Sequence, residues 1–131
     1  MTYHFRTCPD CDDRAYDVAA KLASEAHRGE HRAIRAREIE RDLDFGGGDG
    51  RRAREIVEHL RAVHRAPICS TATNGAPGFF WPTSREDTEH TSAAFRSRLG
   101  KMQATLRGFE AGRDELWPAQ DDLFGRGVSR G

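Results

Sequence analysis

A pair of cysteines and a pair of histidines near the N-terminus have the residue types and the spacing of a zinc site. Cys8 and Cys11 are separated by two residues, and His27 and His31 follow after a gap of fifteen residues. This spacing falls at the edge of the range found in zinc fingers. Thiolate and imidazole groups suit tetrahedral zinc, and histidines four positions apart share one face of a helix. The pattern therefore predicts a structural zinc ion held by these four residues.

Two alternatives to this site remain open from the sequence. His4 or Cys69 could supply the fourth ligand in place of one histidine. The protein could also hold no cofactor, with two reduced cysteines in a turn capped by Asp10 or Asp12. The chain has three cysteines, an odd number, and shows no export signal, so we expect no disulfide framework.

Three arginines stand at the start of a strongly amphipathic segment. Arg51, Arg52 and Arg54 precede or interrupt an apolar stripe with the i, i+3, i+4, i+7 spacing of a helix. The stripe consists of Ala53, Ile56, Val57, Leu60 and Val63. The helix dipole disfavours cations in a first turn, so these arginines suggest an external anion.

The elements that position these residues follow from periodicity and breakers. We expect a helix from Asp13 to about His27 and a second, short helix carrying Ile34, Ile39 and Leu43, which the glycines at 46–48 terminate. A third helix should run from about Asp49 to about His64. After Pro67, the β-prone runs 68–71 and 78–81 flank an Asn-Gly turn signal and predict a hairpin. Residues 85–115 are again helical in pattern.

This order of elements describes a winged helix-turn-helix, a mainly α fold with a small β-hairpin wing, here followed by a long C-terminal helix. Residues 33–84 resemble the small winged-helix proteins of bacteriophages and prophages. In those proteins the third helix ends in a leucine-arginine pair, followed by a proline-isoleucine strand and a glycine-aromatic-aromatic wing. The matching positions are Leu60-Arg61, Pro67-Ile68 and Gly78-Phe79-Phe80.

The resemblance implies binding of double-stranded DNA, with the third helix in the major groove and the hairpin on the backbone or minor groove. Arginine pairs with guanine or a phosphate, and Glu55 could accept from cytosine N4. The residues that we expect to contact DNA are Arg51, Arg52, Arg54, Glu55, His59 and Arg65. The function would be phage or prophage replication or transcription regulation. The alternative is a protein-interaction adaptor that uses the same fold, since fold alone does not fix function.

The C-terminal tail contains the sequence QDDLF, which resembles the peptide that docks bacterial replication and repair proteins on the sliding clamp. Leu123 and Phe124 would fill an apolar pocket, and the Gln120 amide would supply hydrogen bonds. A bacterial sliding clamp is therefore an expected partner. The alternative is that Phe124 packs on its own domain.

The long C-terminal helix carries apolar residues in the rhythm of a coiled coil. Spacings of four and three alternate along Phe95, Leu99, Met102, Leu106 and Phe109. This seam could join two copies as a homodimer and so set the half-site spacing on DNA. It could equally fold back over the three-helix core.

Composition and missing motifs exclude several function classes. The 21 basic and 21 acidic residues give no net charge, so we expect modest, strongly salt-dependent DNA binding. The sequence lacks a phosphate-binding loop, a nucleophile elbow and an HExxH motif, and we expect no enzyme activity.

The distribution of apolar segments along the sequence predicts the location of the protein and its domain organisation. No segment has the apolar length of a membrane span or the pattern of a secretory signal, which predicts a cytoplasmic protein. We divide the chain into a Cys/His segment at 1–12, a winged helix-turn-helix domain at 13–84, a helix at 85–116 and a flexible tail at 117–131.

Overall fold

The computed structural model describes residues 8–71 and 78–118, which are mainly helical with a small antiparallel sheet, as the sequence predicts. The elements are, in order, α1 (Ala15–Ala23), two 3-10 helices (Glu25–His27 and Glu30–Arg32), β1 (Ile34–Arg35), α2 (Ala36–Asp42), α3 (Arg51–Ala62), β2 (Cys69–Thr71), β3 (Gly78–Phe80) and α4 (Arg85–Leu116). None of the helices in these described residues is both long and apolar enough to cross a membrane.

The core lies between the first three α-helices and one face of the sheet. Its fully buried side chains include Val18 and Leu22 of α1, Ile39 of α2, and Val57 and Leu60 of α3. The α3 stripe predicted from the sequence is confirmed at four of its five positions. The fifth, Val63, is 54% exposed, because α3 ends at Ala62 and the chain then turns away.

The sheet has three strands in the order β1-β3-β2, with every pairing antiparallel. Strands β2 and β3 form the predicted hairpin, whose connection at 72–77 lies outside the described residues. Phe79 pairs with Ser70 on one side and with Ile34 on the other. Ile34, which the sequence assigned to the second helix, therefore lies in β1. A strand of two residues has no readable periodicity and forms only because its partner strand is adjacent.

The glycine-rich turn between α2 and α3 brings a buried carboxylate to the start of α3. Glu40 is only 3% exposed, and its carboxylate accepts hydrogen bonds from the backbone N–H groups of Gly50 and Ala53, both at 3.0 Å. Gly50 offers no side chain to cap the helix, so Glu40 satisfies these N–H groups instead. A Cβ at Gly48 would lie 2.6 Å from Oε1 of Glu40, and this close approach requires glycine.

The first predicted helix is shorter than its apolar pattern suggested. It ends at Ala23, and the 3-10 helix Glu25–His27 follows. The whole chain divides into two compact units, residues 1–92 and 93–131. The first contains the core, the sheet and the beginning of α4, where the Thr91 hydroxyl accepts a hydrogen bond from the Ser70 N–H at 3.2 Å.

Candidate metal centre

Two cysteines from the N-terminal segment and two histidines from the end of α3 converge on one point. Nε2 of His59 lies 3.4 Å from Sγ of Cys8 and 3.4 Å from Sγ of Cys11. Nε2 of His64 lies 3.0 Å from Sγ of Cys11. The four ligand atoms all lie within 4.8 Å of one another.

The cysteines reach this point through a tight turn that leads into α1. The backbone N–H of Cys11 donates to the carbonyl of Cys8 at 3.4 Å. Asp12 then accepts hydrogen bonds from Arg14 N–H, through its carboxylate at 2.9 Å, and from Ala15 N–H, through its carbonyl at 3.0 Å. This arrangement sets the direction of both thiols before α1 begins.

The histidines occupy the last turn of α3 and the residue after its C-cap. They are five positions apart, which would turn them away from each other in a continuous helix. The backbone N–H of His64 still donates to the Leu60 carbonyl at 3.2 Å, and the next residue, Arg65, adopts a left-handed conformation with φ 57°. The chain thereby reverses, and Ala66 N–H donates to the Leu60 carbonyl at 3.0 Å. The two imidazole rings meet edge to face, with centroids 5.3 Å apart.

The cluster has the donor set and the dimensions of a tetrahedral zinc site. Zn–S bonds of about 2.3 Å and Zn–N bonds of about 2.0–2.1 Å place sulfur and nitrogen ligands roughly 3.6 Å apart. The sulfur-to-nitrogen contacts here, at 3.0–3.4 Å, are close to that separation. Cys8, Cys11, His59 and His64 could therefore hold a metal ion such as zinc.

The electrostatic setting of the thiols favours a bound cation. Burial, the neighbouring Cys8 thiol, and the charges of Asp10 and Asp12 raise the pKa of Cys11 from 9.0 to about 11. Each of these effects opposes a bare thiolate. A divalent cation would offset the charge effects, since it stabilises thiolates and is itself attracted by the two carboxylates.

The structure corrects the two histidines predicted as ligands. Nδ1 of His27 lies 3.0 Å from the Arg32 carbonyl oxygen, and His31 belongs to the next 3-10 helix. Gly29 between them has φ 91°, which breaks the helix that was to place both rings on one face. Neither histidine belongs to the cluster around the two cysteines.

Cys69 and His4 were the alternative fourth ligands predicted from the sequence, and the structure describes only the first of them. Cys69 is buried on β2, with its Sγ 3.8 Å from the Pro67 carbonyl oxygen, and it too lies outside the cluster. His4 lies outside the described residues. All three cysteines, Cys8, Cys11 and Cys69, have free thiols.

One of the predicted DNA contacts, Arg52, is already neutralised within the chain. Its guanidinium donates two hydrogen bonds to Asp12, at 2.8 and 2.7 Å, and a third to Asp13 at 2.9 Å. It also lies over the ring of Phe45, 4.7 Å from the centroid. Hydrogen bonding from Arg52 is the largest contribution that lowers the pKa of Asp12 to about 2. His59 likewise has partners within the chain, the thiols of Cys8 and Cys11.

The other residues of the predicted DNA surface are exposed. Arg51 has a side chain 78% exposed and lies 3.9 Å from the Glu55 carboxylate, a loose pair that solvent screens. Arg54 donates to the Asp49 carbonyl at 3.3 Å. Arg65 is exposed beyond the end of α3. The tail residues Gln120, Leu123 and Phe124, predicted to bind a clamp, lie outside the described residues.

His64 and Glu40 are the residues that sequence reasoning did not single out. His64 is five positions from His59, an H-x4-H spacing within the range of zinc sites, but 53 positions separate it from Cys11, so no local spacing relates the histidine pair to the cysteine pair. Glu40 lies on the polar side of the predicted second helix and carries no motif. The available signal for His64 was the presence of a second histidine near the end of α3.

A comparison with protein-family models matched none of them, and comparisons with curated proteins and with solved structures found no significant match.

Proposed function

We propose that this chain is a zinc-stabilised winged-helix domain that binds double-stranded DNA through the exposed side of α3. The observation that carries the proposal is the topology of the first unit. Its order is helix, strand, helix, helix, strand, strand, and the first strand adds to the outside of the hairpin. This is the arrangement typical of winged helices, in which α2 and α3 form the helix-turn-helix and α3 is the recognition helix.

Zinc has a structural role in this proposal. Cys8, Cys11, His59 and His64 supply four protein ligands, which is the closed coordination of structural zinc sites. The ion would tie the segment before α1 to the end of α3. It would also hold Asp12 in place beside Arg52.

The DNA surface is the ridge of α3 that faces away from the core. Arg51, Glu55 and Glu58 are exposed on it, and exposed Arg54 flanks it. The start of α3 lies close to α2 at Gly50. A Cβ atom at this position would lie 2.9 Å from the backbone nitrogen of Arg37, on α2, and 3.0 Å from Nη1 of Arg54, on α3. Arg37 is also exposed, so three arginines surround the start of α3.

These arginines set the expected strength of binding. Each phosphate neutralised on duplex DNA contributes a slope of about −0.9 to the plot of log affinity against log salt concentration. Three arginines therefore predict a slope of roughly −3, which is a weak electrostatic contribution. If Arg54 pairs with guanine instead of a phosphate, the slope falls to roughly −2, and Glu55 would accept from cytosine.

Mobility shifts with a mixed-sequence duplex, measured over a salt series, test this function. Substitution of Arg51 and Arg54 together by alanine should abolish most of the binding. Arg85→Ala combined with Arg107→Ala on α4 is the matched control, because it also removes two exposed arginines. Circular dichroism establishes that the variants remain folded. Binding that survives the double substitution, or that does not respond to salt, contradicts the proposal.

Elemental analysis tests the zinc part separately. Protein purified without chelator should contain about one zinc ion per chain, since one tetrahedral site uses all four ligands. A zinc content near zero after preparation with zinc in the medium would contradict it.

A protein-interaction adaptor is the second candidate, and the two glutamates on the α3 ridge favour it. Glu55 and Glu58 repel phosphate and offset Arg51 and Arg54. A folded, zinc-loaded protein that binds no duplex at low salt would support this candidate. Under either function, a phage setting, a role in replication or transcription, and clamp docking stay predictions.

A further inference from the structure

The described part of the second unit is a helical segment with an exposed apolar stripe. Leu99, Met102 and Leu106 are 56%, 69% and 55% exposed, and Phe109 is 71% exposed. Phe95, with the guanidinium of Arg98 over its ring, is 41% exposed at the start of the stripe. Exposed apolar side chains in a continuous row mark interaction surfaces.

The apolar residues of the stripe follow a strict heptad repeat. A helix that packs on a globular core does not need such a regular spacing. Phe95, Met102, Phe109 and Leu116 occupy d positions, and Leu99 and Leu106 occupy a positions. A strict alternation of four and three is the narrow seam of a coiled coil, whereas a helix on a globular core has a wider apolar face. Residues 95–116 form about 33 Å of helix, at 1.5 Å per residue.

The glycines of this helix do not interrupt the seam. Gly100 and Gly108 fall at b and c positions, which face away from a partner, and Gly112 falls at a g position on the flank. They lower helix propensity by roughly 1 kcal/mol each. None of the three glycines replaces an apolar side chain at an a or d position. Packing of the seam against a partner helix can therefore compensate for the lower helix propensity.

Charge decides which orientation of a partner helix fits. The third a position is Arg113. In a parallel pair of helices, Arg113 would face Arg113 of the second copy inside the seam, and the two positive charges would repel. No charged residue at an e or g position would then lie opposite a residue of the other sign. In an antiparallel pair a positions face d positions. Arg113 then meets the partner's Phe95, and a guanidinium over an aromatic ring is attractive.

The flanks agree with the antiparallel arrangement. The alignment that places Arg113 opposite the partner's Phe95 fixes the other pairs. Leu99 then lies opposite the partner's Phe109, and Met102 lies opposite the partner's Leu106. It places Arg96, at an e position, opposite Glu110, at an e position of the other chain, and symmetry repeats this pair. Glu110 has only a loose contact within its own helix, 3.9 Å to Arg113.

We infer that a second copy of this chain covers the seam, and that the two α4 helices pair antiparallel. The inference is independent of zinc and DNA binding. It predicts that the protein self-associates to a dimer in which residues 95–113 of the two copies pair.

Sedimentation velocity of the full chain over a concentration series tests the dimer. The wild type should change from monomer to dimer as concentration rises, and Leu106→Glu should remain monomeric. Ala104→Glu is the matched control, because it places the same charge two residues away at an outward f position, and it should dimerise like the wild type. A monomer at all concentrations, or equal behaviour of Leu106→Glu and the wild type, overturns the inference.

A charge swap tests the orientation. Arg96→Glu alone and Glu110→Arg alone should each weaken dimerisation roughly tenfold, because each creates two like-charge contacts per dimer. The double variant should recover the wild-type dissociation constant. In a parallel dimer these residues do not meet, so single variants without effect, or a double variant as weak as the singles, overturn the antiparallel arrangement.

Discussion

Sγ of Cys11 lies 3.0 Å from Nε2 of His64, although 53 positions separate the two residues. Between them the chain forms three α-helices and one strand. A metal ion at this contact would close the first unit upon itself. In such sites the free energy of metal binding contributes directly to folding, because the unfolded chain does not hold the ligands together.

Substitution of individual histidines tests which pair binds zinc: His59 and His64, which the structure places beside the cysteines, or His27 and His31, which the sequence spacing predicted. His59→Ala and His64→Ala should each weaken zinc affinity by more than about 100-fold, since loss of a ligand costs more than loss of its supporting partner. His27→Ala and His31→Ala are the controls and should keep about one zinc per chain. The measurement is zinc content, or competition with a chromogenic chelator. Loss of zinc from the control variants instead would reverse the assignment.

Removal of the metal should lower the stability of the first unit. Structural zinc contributes about 10–16 kcal/mol in zinc-finger peptides, but this protein has an apolar core of its own and depends on the ion less. Even a few kcal/mol corresponds to a fall in Tm of about 10 °C or more for a domain of this size. Thermal unfolding with and without EDTA measures it.

Cys11→Ser provides the control for that experiment. It lacks a zinc ligand, so it should unfold at the temperature of the EDTA-treated wild type and should not respond to EDTA. A chelator effect of equal size on this variant would show that EDTA acts elsewhere.

Glu40→Ala should destabilise the protein although it removes a charge from the interior. The buried N–H groups of Gly50 and Ala53 would lose their acceptor, and each unsatisfied buried group costs about 1–3 kcal/mol. We expect a loss of roughly 2–4 kcal/mol in the free energy of unfolding, measured by urea denaturation. Glu38→Ala, whose side chain accepts from Arg35 N–H at an exposed site, should cost about 1 kcal/mol or less. Equal losses in the two variants would refute the buried capping role.

Arg51 and Arg52 are adjacent in the chain but should differ in their effect on DNA binding. Arg51→Ala removes an exposed cation and should reduce the salt slope by about 1. Arg52→Ala should leave the slope nearly unchanged, because its guanidinium is held by Asp12 and Asp13 and contacts no phosphate, although the two freed carboxylates should lower the affinity somewhat. Mobility shifts of the two variants at several salt concentrations compare them directly. A larger effect from Arg52 would mean that DNA displaces the two aspartates.

Local sequence patterns predicted much of the fold and half of the candidate site. The apolar spacing of Ala53, Ile56, Val57 and Leu60 indicated α3, and all four are buried. The two cysteines were predicted as ligands because their spacing is short. The sequence offered two histidine pairs with zinc-like spacing, His27 with His31 and His59 with His64, and it did not decide which pair meets the cysteines. The structure places the second pair in the cluster.

The sequence by itself determined the helices of the core, the glycine turn, the hairpin strands and the cysteine pair, because each depends on residues close together in the chain. Only the tertiary structure decided which histidines face the cysteines, that Ile34 joins the sheet, and that Arg52 is neutralised by Asp12. These are contacts over tens of residues. They depend on how α1, α3 and the strands pack, which no local spacing records.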